Sequence, residues 1–239
     1  MKKIIQEKEM KILRSIPLPK KTNTYFPISH FEIIKKINRQ APIHWVLNDY
    51  NIRLSKNGKK IFGTIDYCVA GHNNLISIGF RNSYDKSISV GLCAGSRIIV
   101  CSNLMFTGEI IRFRKHTLNL SRDIDTIVKE VMEYGEQNAR LLKKDMILFQ
   151  SKKIDNKEAA KIIGEAFFNN NIFNSYQVSV IKKEWISGDY SKDNGLNEFC
   201  KERTLYSLYQ ACTHALKSSS INNMLNNYTE LHKYFVGLN

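Results

Sequence analysis

The spacing of apolar residues changes twice along this chain, and the changes divide it into three parts. In residues 2–13, Ile4, Ile5, Ile12 and Leu13 recur at helical spacing, and Pro17 and Pro19 end the segment. Lys20-Lys21-Thr22-Asn23-Thr24 then reads as an exposed linker. Ser29-His30-Phe31-Glu32 has the capping-box pattern, in which the two side chains satisfy two free backbone donors. A helix is therefore predicted from Ser29, with Phe31, Ile33, Ile34 and Ile37 buried, Lys35, Lys36 and Arg39 outside, and Pro42 as its stop.

The period then shortens to two. Strands are predicted over 44–55 and 59–69, joined at Lys56-Asn57-Gly58-Lys59, whose Asn-Gly pair favours a hairpin because both residues tolerate positive φ. Gly71-His72-Asn73-Asn74 turns the chain into 75–81. Strands follow over 87–94, 98–101 and 110–117, separated by Ala94-Gly95-Ser96 and by Ser102-Asn103 with Gly108. About six consecutive strands joined by short turns predict an antiparallel, meander-like sheet.

Helical spacing returns at Ser121, which is expected to cap the longest helix of the chain. Ile124, Ile127, Val128, Val131, Met132, Tyr134, Leu141 and Leu142 mark one long helix, predicted to lie across a face of the sheet. Its acids Asp123, Asp125, Glu130 and Glu133 come early and its bases Arg140, Lys143 and Lys144 late, which suits the helix dipole. Beyond 151 only helices are predicted: one capped by Asp155-Asn156-Lys157-Glu158, then 175–186, 196–217 and 221–236. The predicted fold class is α+β: an antiparallel sheet of about six strands with a long helix packed on it, basic N-terminal helices and a helical C-terminal part. The segments are 1–42, 43–150 and 151–239, the last two forming one domain.

Charge sharpens this picture. Residues 1–60 carry 14 Lys/Arg against 4 Asp/Glu, whereas 61–150 and 151–239 carry 11 against 9 each. A concentrated basic segment binds polyanions by releasing their counterions, although a lysine-rich surface also serves simple solvation. No apolar run reaches the roughly 18 residues that span a bilayer, and Glu7, Lys8, Glu9 and Lys11 interrupt any signal-peptide core, so a cytoplasmic location without membrane contact is expected. Five scattered cysteines are not a disulfide framework.

Cys68, His72, Cys93, Cys101 and His116 gather in the strand region, but no CxxC pair is present, so no metal is expected. The chain lacks the sequence signatures of nucleotide-binding loops, zinc proteases and serine hydrolases, so no cofactor is expected and a non-enzymatic role is favoured. Asp85 is expected to cap the turn Tyr84-Asp85-Lys86-Ser87 through its own backbone. Arg81, Arg97, Arg112, Arg114, Lys115 and His116, interleaved with aromatics such as Tyr84, suggest a nucleic-acid groove. In Ile110-Ile111-Arg112-Phe113-Arg114, alternation puts the arginines on one face and Ile111 and Phe113 on the core face.

Four motifs also carry a resemblance: Arg81-Asn82-Ser83-Tyr84-Asp85, Val100-Cys101-Ser102-Asn103, Arg114-Lys115-His116-Thr117, and the run from Thr204 to Thr213 that includes Gln210-Ala211-Cys212. In order and approximate spacing across residues 75–217 the chain resembles a phage- and plasmid-associated family catalogued as domain of unknown function 932. It departs from that pattern at Lys115 and Gln210, and its basic N-terminal part has no counterpart there. The resemblance implies a mobile-element origin and no particular activity.

The function expected is a phage- or mobile-element-encoded nucleic-acid-binding protein, with single-stranded DNA favoured, acting in replication or recombination. Its layout is similar to that of single-strand annealing proteins, many of which form homo-oligomers. Lys20, Lys21, Lys35, Lys36, Arg81, Tyr84, Arg112, Arg114, Lys115 and His116 are the expected binding residues, with Asn82, Asp85 and Asn103 as a candidate pocket. The alternative is a protein–protein module that engages a host factor.

Overall fold

The computed structural model describes residues 10–69, 74–98, 104–105, 111–187 and 202–238. The chain divides into two compact units, Met1–Ala94 with Glu109–Glu136, and Gly95–Gly108 with Gln137–Asn239.

The first unit is built on strands β1 (Trp45–Leu54), β2 (Lys60–Val69), β3 (Asn74–Ser83) and the start of β4 (Val90–Ile98), which neighbour one another in chain order. β5 (Leu104–Met105) and β6 (Ile111–Arg114) both pair antiparallel with β4, at Ser96–Arg97 and at Val90–Cys93 respectively. The expected six-stranded antiparallel sheet is present, but its last two strands share one partner. The turn expected at Ala94-Gly95-Ser96 is absent, because β4 runs through these residues and the pairing of Ser96 and Arg97 with β5 extends the ladder past them. Of the strand predicted over 98–101, residues 99–101 lie outside the described residues.

At the β1–β2 hairpin only Gly58 adopts positive φ, at 69°. Asn57 acts through its side chain instead: its Oδ1 accepts from Ser55 Oγ at 2.8 Å and from the Lys59 N–H at 3.0 Å. The loop is therefore longer than the two-residue turn that Asn-Gly alone suggests.

Helix α1 (His30–Gln40) covers one face of the sheet with Ile33, Ile34 and Ile37, all essentially inaccessible. Its N-cap Ser29 accepts the Glu32 N–H at 3.0 Å, which is half of the expected capping box; Glu32 turns toward Lys35 instead, at 3.9 Å. Asn38 links this helix to two strands, donating to Tyr50 Oη and accepting from the Tyr67 hydroxyl. Residues 25–40 thus contribute to the core of this unit.

Helix α2 (Leu120–Ser151) starts at Leu120, so Ser121 lies inside its first turn and does not cap it, and the first half of the helix belongs to this unit. Ile124, Val128, Val131 and Met132 are buried as expected, but Tyr134 is exposed. The core position beside it is Gly135, where a Cβ would lie 2.5 Å from the Trp45 ring. The indole fills that space, and its Nε1 donates to Glu136 Oε1 at 3.0 Å.

The second unit holds the rest of α2, then α3 (Asn156–Phe168), α4 (Ser175–Ser187), α5 (Leu205–Leu216) and α6 (Met224–Val236). The predicted Asp155–Glu158 capping box forms in both directions. The helix predicted over 196–217 begins at Leu205 in the described residues, because Thr204 and Ser207 form a second capping box that fixes its start; residues 196–201 lie outside them. Phe149, Tyr209 and Phe235 pack edge to ring at 5.1–6.0 Å, and His232 bridges Tyr209 Oη and Asp145, each at 3.2 Å. Among the described residues no helix is long and apolar enough to cross a membrane.

Gly135 yields a prediction. Alanine normally favours a helix by about 1 kcal/mol over glycine. Here Gly135→Ala should instead lower stability by about 1–3 kcal/mol, the usual cost of overpacking, because the new methyl meets the Trp45 ring. Urea unfolding followed by tryptophan fluorescence checks this, and an unchanged midpoint would contradict the packing.

Candidate nucleic-acid interface

The node of the first unit is a buried amide. Asn82, near the end of β3, donates from Nδ2 to the Ile28 carbonyl at 2.9 Å and to His30 Nδ1 at 3.0 Å. Its Oδ1 accepts from His116 Nε2 at 2.8 Å, and His30 Nε2 donates to the Gly58 carbonyl at 3.1 Å. The Ile28 carbonyl fixes the amide orientation, since a flipped amide would set oxygen against oxygen. That orientation in turn fixes both tautomers, with the proton on Nε2 in each ring. The three side chains are at most 7% exposed.

Aromatic rings close the network. Tyr84 stacks on His30 with centroids 4.0 Å apart, and its hydroxyl accepts the His30 N–H at 2.9 Å. The Tyr25 hydroxyl donates to the Tyr84 carbonyl at 3.1 Å, and its ring lies 5.4 Å from that of His116. Burial lowers the His30 pKa to about 4 and that of His116 below its ordinary value, and it raises both phenols. A proton on His30 Nδ1 would also face the Asn82 N–H. The histidines are neutral spacers.

Several sequence candidates therefore do not form an open groove. Tyr84 is 5% exposed and committed to His30, so it offers no free face to a base. His116 and Asn82 are hydrogen-bonded to each other inside the unit. Arg81 is buried, with its guanidinium 4.4 Å above the Phe113 ring. Phe113 is 44% exposed and lies over Gly91, so the expected core side of β6 is the Arg81–Phe113 side.

Arg112 and Arg114 point the other way, toward α2. Arg112 Nε meets Glu130 Oε2 at 2.8 Å, and an Arg114 guanidinium nitrogen meets Asp123 Oδ2 at 2.5 Å. Lys36 joins the same row at Asp125, 2.7 Å away. The early acids of α2, read from sequence as dipole partners, neutralise three of the expected phosphate-binding cations. Asp85 behaves as expected: Ser87 donates to it from backbone and hydroxyl, and Lys60 lies 3.5 Å away. Although desolvation opposes it, these hydrogen bonds and this charge hold the carboxyl below its usual range. Asn103 lies outside the described residues.

The cations left over are lysines around the node. Lys20 and Lys21 lead into the Thr22–Tyr25 turn, in which the Thr22 N–H donates to the Tyr25 carbonyl at 2.9 Å. Lys86 Nζ sits 4.7 Å above the Tyr25 ring. Lys115 adjoins His116, whose carbonyl accepts the Phe26 N–H, and the Lys59 carbonyl accepts the Tyr84 N–H. With Lys56 at the hairpin tip, these side chains are exposed and make no ion pair among the described residues. Lys35, also exposed, stands 3.9 Å from Glu32. Asp85 is the only acid in residues 10–31, 55–60, 82–88 and 112–118. The ingredient that sequence reading missed is His30, which looks like an ordinary first-turn residue. Among the described residues no three His, Cys, Asp or Glu side chains group as metal ligands.

A pH dependence follows. The folded His30 pKa lies below the unfolded value near 6.5, so the unfolded chain takes up the proton first as pH falls. Stability should be full above about pH 6.5 and decline toward about pH 4, by up to about 3 kcal/mol for this group. His30→Gln should be less stable at neutral pH but show a shallower decline. Denaturant midpoints at several pH values measure both, and equal slopes would remove His30 as the cause.

No protein-family model, curated protein or solved structure matches this chain.

Proposed function

We propose that this protein binds nucleic acid through the lysine-rich surface around the Asn82 node, and that single-stranded DNA in replication or recombination is its substrate. The observation that carries the reading is the charge distribution at that node. Lys20, Lys21, Lys56, Lys59, Lys86 and Lys115 surround one acid, Asp85, which is already engaged by Ser87 and Lys60. Phosphates attract such unneutralised cations, whereas the paired Arg112 and Arg114 would first have to leave Glu130 and Asp123.

Lys86 adds support. Its φ of 63° is a left-handed conformation that glycine adopts at lower cost. A lysine held there over Tyr25 trades stability for a charge in a fixed place, as strained residues at binding sites do. Tyr25 and Tyr84 stiffen the base of this surface and do not stack on nucleobases, so binding runs through the backbone.

The test is binding of labelled single-stranded DNA, duplex DNA and RNA at about 50 and 200 mM salt. Affinity should fall steeply with salt, and Lys20→Glu/Lys21→Glu/Lys115→Glu should weaken it at least about tenfold and flatten the salt slope. Arg112→Ala should leave affinity nearly unchanged, because this arginine is already paired with Glu130. Lys86→Gly should raise stability by up to about 1 kcal/mol while weakening binding. Weak binding, equal for all three nucleic acids and unaltered in the triple variant, would overturn the proposal.

A further inference from the structure

In the second unit, α3 and α4 enclose an apolar groove of about 520 Å³. Ile163, Phe167, Ile181 and Trp185 form its walls and Leu208 of α5 its floor. Phe168 and Ile186 stand at its mouth, 78% and 60% exposed. The walls are fixed before anything binds. The capping box at Asp155 sets the start of α3, and reciprocal bonds between Asn174 and Gln177 set the start of α4. Trp185 is locked by its Nε1 bond to Asn156 at 2.9 Å and by the Arg203 guanidinium over its ring.

Gly164 lies mid-helix in the wall, and a Cβ built there meets nothing within 4 Å. Its φ is not positive, so neither backbone conformation nor packing within the chain calls for glycine. Glycine in a helix interior is unfavourable by comparison with alanine. A close approach of another molecule to the α3 backbone accounts for it.

Charge indicates which molecule. Lys157, Lys161 and Lys182 are exposed on the two helices and make no ion pair among the described residues. The acids of the same helices are engaged: Glu158 in the capping box, Glu165 with the Tyr234 hydroxyl, and Glu184 buried near His214. We infer that this groove receives an amphipathic helix of a partner protein, with apolar residues at i, i+3 or i+4 and i+7 seated between α3 and α4 and Asp or Glu on its flanks. This is the helix-in-groove mode of recognition. A second copy of this chain would bring like charges together at an isologous contact. An acyl chain fits the groove less well, because Phe168 and Ile186 leave its mouth open, where a lipid site encloses its ligand.

The experiment is display selection of a helical peptide library on the full chain, counter-selected against Gly164→Leu, followed by anisotropy with the enriched peptides and competition by lauric acid. The enriched sequences should show the apolar spacing with acidic flanks. Gly164→Leu should weaken them at least tenfold while melting no lower than wild type, because leucine is the better helix former and its side chain enters open space. Lys161→Glu, which lies outside the groove's lining, should weaken them several-fold. Three results would each overturn the inference: no enrichment over the counter-selection, enrichment of neutral or basic flanks, or equal binding by Gly164→Leu and wild type. Tighter binding of lauric acid than of any peptide would assign the groove to an acyl ligand instead.

Discussion

One buried amide sets the terms for the first unit. Asn82 spends both N–H donors and its oxygen on the Ile28 carbonyl, His30 and His116, so three stretches distant in sequence meet at one side chain. Such a node is intolerant in a specific way. Every group in it is removed from water, so losing one partner leaves the others unsatisfied, which costs more than the bond itself contributes. It also demands neutral imidazoles, because the donors already present leave no acceptor for an added proton. The stacking of Tyr84 on His30 and the reach of Tyr25 to the Tyr84 carbonyl fit around that demand.

The node also sorts the charges. Residues that look chemically eligible in the sequence, such as Asn82, Tyr84 and His116, are consumed in holding the segments together. The sheet arginines are consumed by the helix: Arg112 and Arg114 meet Glu130 and Asp123, and Lys36 meets Asp125. Pairs as exposed as these contribute little stability on the median, but they occupy the cations. What remains available is the ring of lysines on the turns and the hairpin tip, where the one carboxylate, Asp85, is already engaged by Ser87 and Lys60.

Two helical glycines show how much context decides. Gly135 and Gly164 both sit inside long apolar-patterned helices, and sequence alone treats them alike. Gly135 is answered inside the chain by the Trp45 ring, whereas at Gly164 nothing answers. The first is a packing requirement of the core. The second is an opening in the wall of a rigid, lysine-flanked groove, and the physical meaning of the residue is opposite.

The sequence by itself determined the element types and their order, because these depend on local periodicity and local chemistry. Period-two runs gave β1 to β3 and the first part of β4, period-3.6 runs gave α2 to α4, and the cap at Asp155 and the turn at Asp85 formed as their residue types dictate. It also determined that excess charge lies in the first quarter of the chain. Only the tertiary structure decided what that charge could touch. Whether Arg112 faces solvent or Glu130 depends on which side of the sheet α2 covers, and nothing within a few residues of Arg112 encodes that. The same holds for Phe113, drawn to the Arg81 side over Gly91, and for His30, whose role exists only where Asn82 and Gly58 reach it. Alternation tells which side chains share a face, but a face acquires its chemistry from what packs against it.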